Sequence, residues 1–198
     1  MADNGVTDRG RGDDGRRLPS RTAPSAAQAR AQVEARRDED RARRDAAFAE
    51  AFGDTVPGRW MIVSSWASTT VLAVVTTAAV MYPDAFIGVF FAVAVLWFFA
   101  GSALFAVDVV LAAGRSRESA MGIGGLFFLA GSAPRAVQWH LLGSLVAQVV
   151  VSVAGAAARP FTPLAFGTLA PVLALSFCGL WGVRHGLFPP REDPSDGR

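Results

Sequence analysis

The sequence predicts an all-α protein: a four-helix transmembrane bundle behind an N-terminal cytoplasmic arm, first disordered and then helical. Three observations carry that expectation. Four apolar stretches lie between Trp60 and His185, and each matches the roughly 20 helical residues that a hydrocarbon core of about 30 Å requires. The arginines are distributed unevenly around those stretches. The first quarter of the chain is polar and changes composition near Pro24.

Residues 1–24 are rich in Gly, Asp, Arg and Ser. They hold too little apolar surface to offset the entropy of ordering, so a disordered arm is expected. Residues 25–53 shift to Ala, Arg, Glu and Asp, which favours a charged juxtamembrane helix. Glu39–Arg43 and Asp40–Arg44 are acid-first pairs at four-residue spacing, each adding about 0.3–0.5 kcal/mol. Gly53 and Pro57 end the helix. From residue 25 to Phe48, Val33 is the only large aliphatic residue, which argues against a coiled coil. Acids and bases nearly cancel along the arm, which argues against a nucleic-acid partner. The arm reads first as a solvated, ion-paired helix leading into the membrane; the sharper alternative is a docking arm for a protein partner, with Phe48 and Phe52, one turn apart, resting on the membrane interface or on that partner.

The four-span domain covers 60–185, with spans expected at about 61–81, 85–113, 135–158 and 164–183. Tyr82-Pro83-Asp84 ends the first, Gly114 the second, and Pro134 opens the third. Seven Ser and Thr residues dilute span one, which suits a protein-facing helix. Span three carries His140, Ser144, Gln148, Ser152 and Ala156 on one face. Span four has a small-residue stripe of Gly167, Pro171, Ala174, Cys178 and Gly182, and Pro171 is expected to kink it. Span two is the greasiest, with Phe86, Phe90, Phe91, Trp97, Phe98, Phe99 and Phe105, and is expected to face lipid. Spans one, three and four are expected in close contact. Residues 121–130 are apolar but too short to span, so a greasy loop on the inner leaflet is expected. Residues 186–198 read as a disordered tail.

Basic residues favour the cytoplasmic side. They cluster before span one, between spans two and three, and after span four, while the other two turns hold only Arg159. Both termini are therefore expected inside, in a multi-pass protein of the cytoplasmic membrane. Trp60, Trp139 and Trp181 would form an inner aromatic belt, Trp66 lies deeper, and a belt does not account for Trp97. No cleavable signal peptide is expected, and the first span reads as an uncleaved anchor.

Chemistry is sparse. Cys178 is the single cysteine, which excludes an intramolecular disulfide and a cysteine zinc site. No His-Glu-x-x-His motif is present, and a bis-histidine haem site is disfavoured because His185 falls past the last span. No catalytic residue, cofactor or metal is expected. Asp108, Arg135 and His140 form a candidate polar cluster near the inner surface, read as a clamp between spans two and three or as a proton site. Gln148, Ser144 and Ser152 are candidate interhelical polar residues. These features suit a non-enzymatic accessory or scaffold subunit. The alternative is a small transporter or channel subunit that forms a homo-oligomer. The lipid bilayer is the expected surrounding in both.

The run Gly179-Leu180-Trp181-Gly182-Val183-Arg184-His185-Gly186, closing on Pro189-Pro190-Arg191, resembles the end of small uncharacterised four-pass membrane proteins of high-GC Gram-positive bacteria. All nineteen basic residues are arginine, which is similar as well. The resemblance implies the four-span fold and brings no activity.

Overall fold

The four apolar stretches all fold as helices in the computed structural model, which describes residues 26–53, 55–117, 119 and 122–189. Every regular element among them is helical: α1 Ala26–Phe52, α2 Arg59–Met81, α3 Pro83–Arg115, α4 Ile123–Phe127, α5 Arg135–Ala158, a 3-10 segment Pro163–Leu169, and α6 Pro171–His185. Four of these stretches are long and apolar enough to cross a membrane, the last being Pro163–His185. The expected disorder of 1–24 and of the tail from 190 lies outside the described residues. Residues 186–189 have no regular structure.

Two units divide the chain, Met1–Arg41 and Ala42–Arg198. In the first, the described part of α1 is solvated, and Arg41 pairs with Asp38 at 3.2 Å on its exposed surface. Such a pair contributes about 0–1 kcal/mol.

Local chemistry sets the helix ends. Gly58 takes φ +69° before α2, a left-handed conformation suited to glycine. Pro83, Pro134 and Pro171 stand at or just before the starts of α3, α5 and α6, where a missing N–H costs nothing. Pro171 does more than kink the fourth span. Ahead of it the chain runs as a 3-10 helix, and Ala170 N donates to Gly167 O at 3.0 Å. A continuous α-helix would leave that carbonyl facing a proline ring with no N–H.

The spans pack as two same-direction pairs, α2 with α5 and α3 with α6. In the first pair, the hydrogen bonds Ser65–Ser144, Gln148–Thr69 and Arg159–Val80 all join residues 79 apart. The α3–α6 pair differs from the sequence expectation. Only 17% of the apolar window of α3 is buried, so most of this helix does face outward. Yet Phe90, Ala94, Gly101 and Asp108 form a buried stripe, with Trp97 and Leu104 partly buried between them. The spacings alternate near three and four, the seam of one helix against another. A Cβ on Gly101 would lie 2.6 Å from Leu173 N, so the backbones touch. Span two is thus a core partner of span four and not a peripheral helix. Span four is the most enclosed, with 61% of its window buried.

Two apolar clusters fill the interior. One gathers Met61, Leu129, Val137, Leu141, Phe177 and Trp181. The other gathers Leu72, Ala79, Phe90, Ala94 and Leu164. Trp97 packs against both, which explains a mid-span tryptophan that no interfacial belt required. Trp181 also departs from the belt. It is fully buried, and its Nε1 donates to Pro57 O at 2.9 Å. Phe52 packs on its ring at 6.3 Å and Phe48 stacks on Phe52. The aromatic pair of the arm is therefore held by this chain's own fourth span.

The middle loop packs one side against α6 and leaves Ile123 and Phe128 exposed. Leu126, Phe127 and Leu129 are buried, and Gly182 of α6 meets the Leu126 backbone directly. Ser132 O accepts from Leu187 N at 3.0 Å, and Gln138 Nε2 donates to Phe128 O at 3.1 Å. Glycine at 182 and 125 gives the loop room against α6 and Phe188.

Candidate functional site

Inside an apolar bundle each polar side chain needs a partner or carries a cost. The partners found here define three places. The first is the seam between α2 and α5. Ser65 Oγ and Ser144 Oγ are 2.5 Å apart. Gln148 Nε2 donates to Ser68 Oγ at 2.9 Å and to Thr69 Oγ1 at 3.1 Å. Thr69 Oγ1 also donates to Ser65 O at 2.8 Å. Ser144 and Gln148 are fully buried. Farther along, Gly155 sits against the methyl of Thr76. Ser152 lies buried on the same face of α5, but its Oγ has no hydrogen-bond partner, nor do Thr76 Oγ1 and Gln148 Oε1. The seam is thus bonded through Ser144 and Gln148, while Ser152 only packs. Gln148→Leu is expected to cost about 1 kcal/mol, because interhelical bonds in membranes average about 0.6 and reach about 1.7. Unfolding in mixed micelles measures it, and an unchanged midpoint would show that the bonds carry nothing.

Two arginines at opposite ends of the bundle come second, each capping a neighbouring helix. Arg159 Nε donates to Val80 O at the end of α2, at 2.9 Å. Arg115, in the last turn of α3, donates through Nη1 to Val183 O and through Nη2 to Gly186 O at 3.0 Å. Its guanidinium also lies 5.8 Å from the Phe188 ring centre. The last carbonyls of a helix lack intrahelical donors and carry the negative end of its dipole, so a cation there is favoured twice. Arg115→Gln is expected to cost about 2 kcal/mol, since bonds from charged donors contribute about 1.5–3 each. Faster proteolysis after Val183 in detergent would accompany that loss, and a variant as stable and as resistant as wild type would refute the cap.

Asp108 is the third. Its side chain is fully buried in the α3 stripe, and neither carboxylate oxygen has a hydrogen-bond partner. A Cβ on Gly179 would lie 2.8 Å from Asp108 Oδ2 and 2.7 Å from the Phe127 ring. The carboxylate therefore sits in a slot made by α6 and α4. The expected cluster with Arg135 and His140 does not form. Both of those residues are exposed on α5, whereas the stripe that carries Asp108 is committed to α6. Among the described residues no group of three His, Cys, Asp or Glu is arranged to hold a metal ion.

Sequence reasoning missed Arg115 and Ser176. Ser176 Oγ donates to Gly101 O at 2.8 Å, a cross-helix bond at the closest approach of α3 and α6. The signal was present in Gly101, a glycine in the middle of a phenylalanine-rich helix, where a small residue lets another backbone come near.

The four long apolar helices, joined by these bonds, define the class as a multi-pass membrane protein. Comparison with known protein families, with curated proteins and with solved structures gives no match, so the functional reading rests on the residues themselves.

Proposed function

We propose that this protein is a non-enzymatic accessory or scaffold subunit of the cytoplasmic membrane, with both termini on the cytoplasmic side. The observation that carries the reading is the use of its intramembrane polar groups. Ser65, Ser68, Thr69, Ser144, Gln148, Ser176, Arg115 and Arg159 are all engaged in helix–helix bonds. Polar groups that line a substrate path face a water-filled cavity instead. The arginine distribution supports the orientation. Reporter fusions after Arg117 and after Arg191 should read cytoplasmic, and fusions near Asp84 and Thr162 external. Purification from native membranes tests the role. A partner protein in fixed stoichiometry supports a scaffold, and a homo-oligomer that conducts ions or solute refutes it.

Asp108 favours a second reading, an oligomeric transporter or channel subunit. A buried carboxylate without a hydrogen bond costs stability, and intramembrane acids are often tied to proton or ion movement. Asp108→Asn separates the two. No hydrogen bond is lost and a titratable group is removed, so thermal stability should hold or rise. A pH-dependent flux abolished in that variant would establish the transport reading. A loss of stability would show instead that the carboxylate holds the spans together.

A further inference from the structure

A groove of about 530 Å³ opens where the chain enters the first span. Thr55, Val56, Arg59, Ile62 and Val63 line it from the α2 side, and His140 lines it from α5. Arg59 and His140 are exposed, and neither side chain has a hydrogen bond or ion pair among the described residues. Each has an exposed tryptophan beside it in sequence, Trp60 at 52% and Trp139 at 77% exposure. Tryptophans at this level of a span settle among lipid headgroups. One turn inward, Ile62 and Val63 present an apolar wall at the depth where acyl chains begin. The groove therefore has a basic mouth at headgroup level and an apolar floor beneath it.

We infer that this groove binds an anionic glycerophospholipid. The headgroup phosphate sits between Arg59 and His140, and one acyl chain runs along Ile62 and Val63. Charge complementarity selects the anionic headgroup, and the tryptophan level selects a lipid over a soluble anion. The inference rests on the membrane reading, and on the proposed orientation only for the choice of the inner leaflet. It extends the accessory role: a subunit that carries its own anionic lipid presents a defined lipid surface to a partner.

The test uses the full chain in nanodiscs of phosphatidylcholine with a minor share of phosphatidylglycerol. After detergent extraction, native mass spectrometry counts each lipid retained per protein. Wild type should retain phosphatidylglycerol preferentially. Arg59→Gln and His140→Gln should each lower that preference, Arg59→Gln by about five-fold, as expected for one basic side chain at a charged lipid surface. Arg135→Gln, exposed but outside the groove, should leave it unchanged. Millimolar inorganic phosphate should not displace the lipid. Equal retention of both lipids, an equal loss in Arg135→Gln, or displacement by phosphate would each overturn the site. All the substituted residues are exposed, so the variants should fold; if Arg59→Gln does not accumulate, His140→Gln decides alone. A chain that inserts but shows no preference refutes only this site, and a chain that fails to sediment with membranes refutes the membrane reading itself.

Discussion

Trp181→Ala is expected to lower the stability of the bundle by about 3–5 kcal/mol, the usual cost of removing a fully buried large aromatic side chain. Three contacts are lost together. The indole fills the centre of the cluster around Met61, Leu141 and Phe177. Its Nε1 holds Pro57 O at 2.9 Å, and its ring supports Phe52. Gly58, whose left-handed turn starts α2, packs so closely that a Cβ would lie 2.8 Å from the indole. The effect should therefore spread from α6 to the α1–α2 turn. Thermal unfolding in detergent measures the loss, and proteolysis near Gly53–Gly58 reports the spread. Trp181→Phe should recover part of the packing and leave Pro57 O unpaired. A Trp181→Ala protein within about 1 kcal/mol of wild type would place the tryptophan in an interfacial belt, where truncation leaves no cavity.

Gly101→Val is expected to destabilise the α3–α6 pair by overpacking. Its Cβ would meet Leu173 N at 2.6 Å, Leu173 Cα at 2.8 Å and Val172 C at 2.9 Å. These are backbone atoms, so no rotamer relieves the clash. Overpacking a tight core costs about 1–3 kcal/mol and sometimes more, and the helices must also separate far enough to break Ser176 Oγ–Gly101 O. The seam down to Asp108 loosens with them. Gly101→Ala should show the same defect at smaller size. Gly88 and Gly114, on the same helix, have nothing within 4 Å of an added Cβ. Gly88→Ala and Gly114→Ala should thus be silent, and equal effects at all three positions would mean that helix propensity and not packing is being read.

The spans were legible because length, apolarity and proline punctuation act locally. Pro134 was read as opening a span and stands just before α5, whereas Pro83 and Pro171, read as a stop and a kink, open α3 and α6. The polar face of span three was legible for a different reason: Gln148 in the middle of an apolar span has few stable states besides a bond to another helix. Its partners were not legible. Span one offers hydroxyls on every side, and only the pairing of α2 with α5 selects Ser68 and Thr69. The same gap accounts for Asp108. Depth along the membrane placed it near Arg135 and His140, but depth does not say which helices touch. The phenylalanine content of span two concealed its stripe, because a helix can be mostly outward-facing and still make a close backbone contact along one narrow line. Arg115 looked like one more basic residue at the inner surface. Its role as a cap depends on where α6 ends, which is a tertiary fact.

The polar residues of the spans join helices within one chain, and a disulfide across the α2–α5 seam can catch that arrangement in the membrane. Ser65 Oγ and Ser144 Oγ stand 2.5 Å apart, so cysteines at both positions bring their sulfurs within bonding reach without moving the backbone. Cys178 is the single native cysteine and is buried, so the new pair has no competing thiol at the seam. In native membranes under mild oxidation, the double variant Ser65→Cys with Ser144→Cys should close almost completely within monomers. Denatured and treated with maleimide, it should then take label only at Cys178. Full labelling of all three cysteines, or a bond found only between two copies of the chain, would contradict the bundle and the use of its polar groups described above.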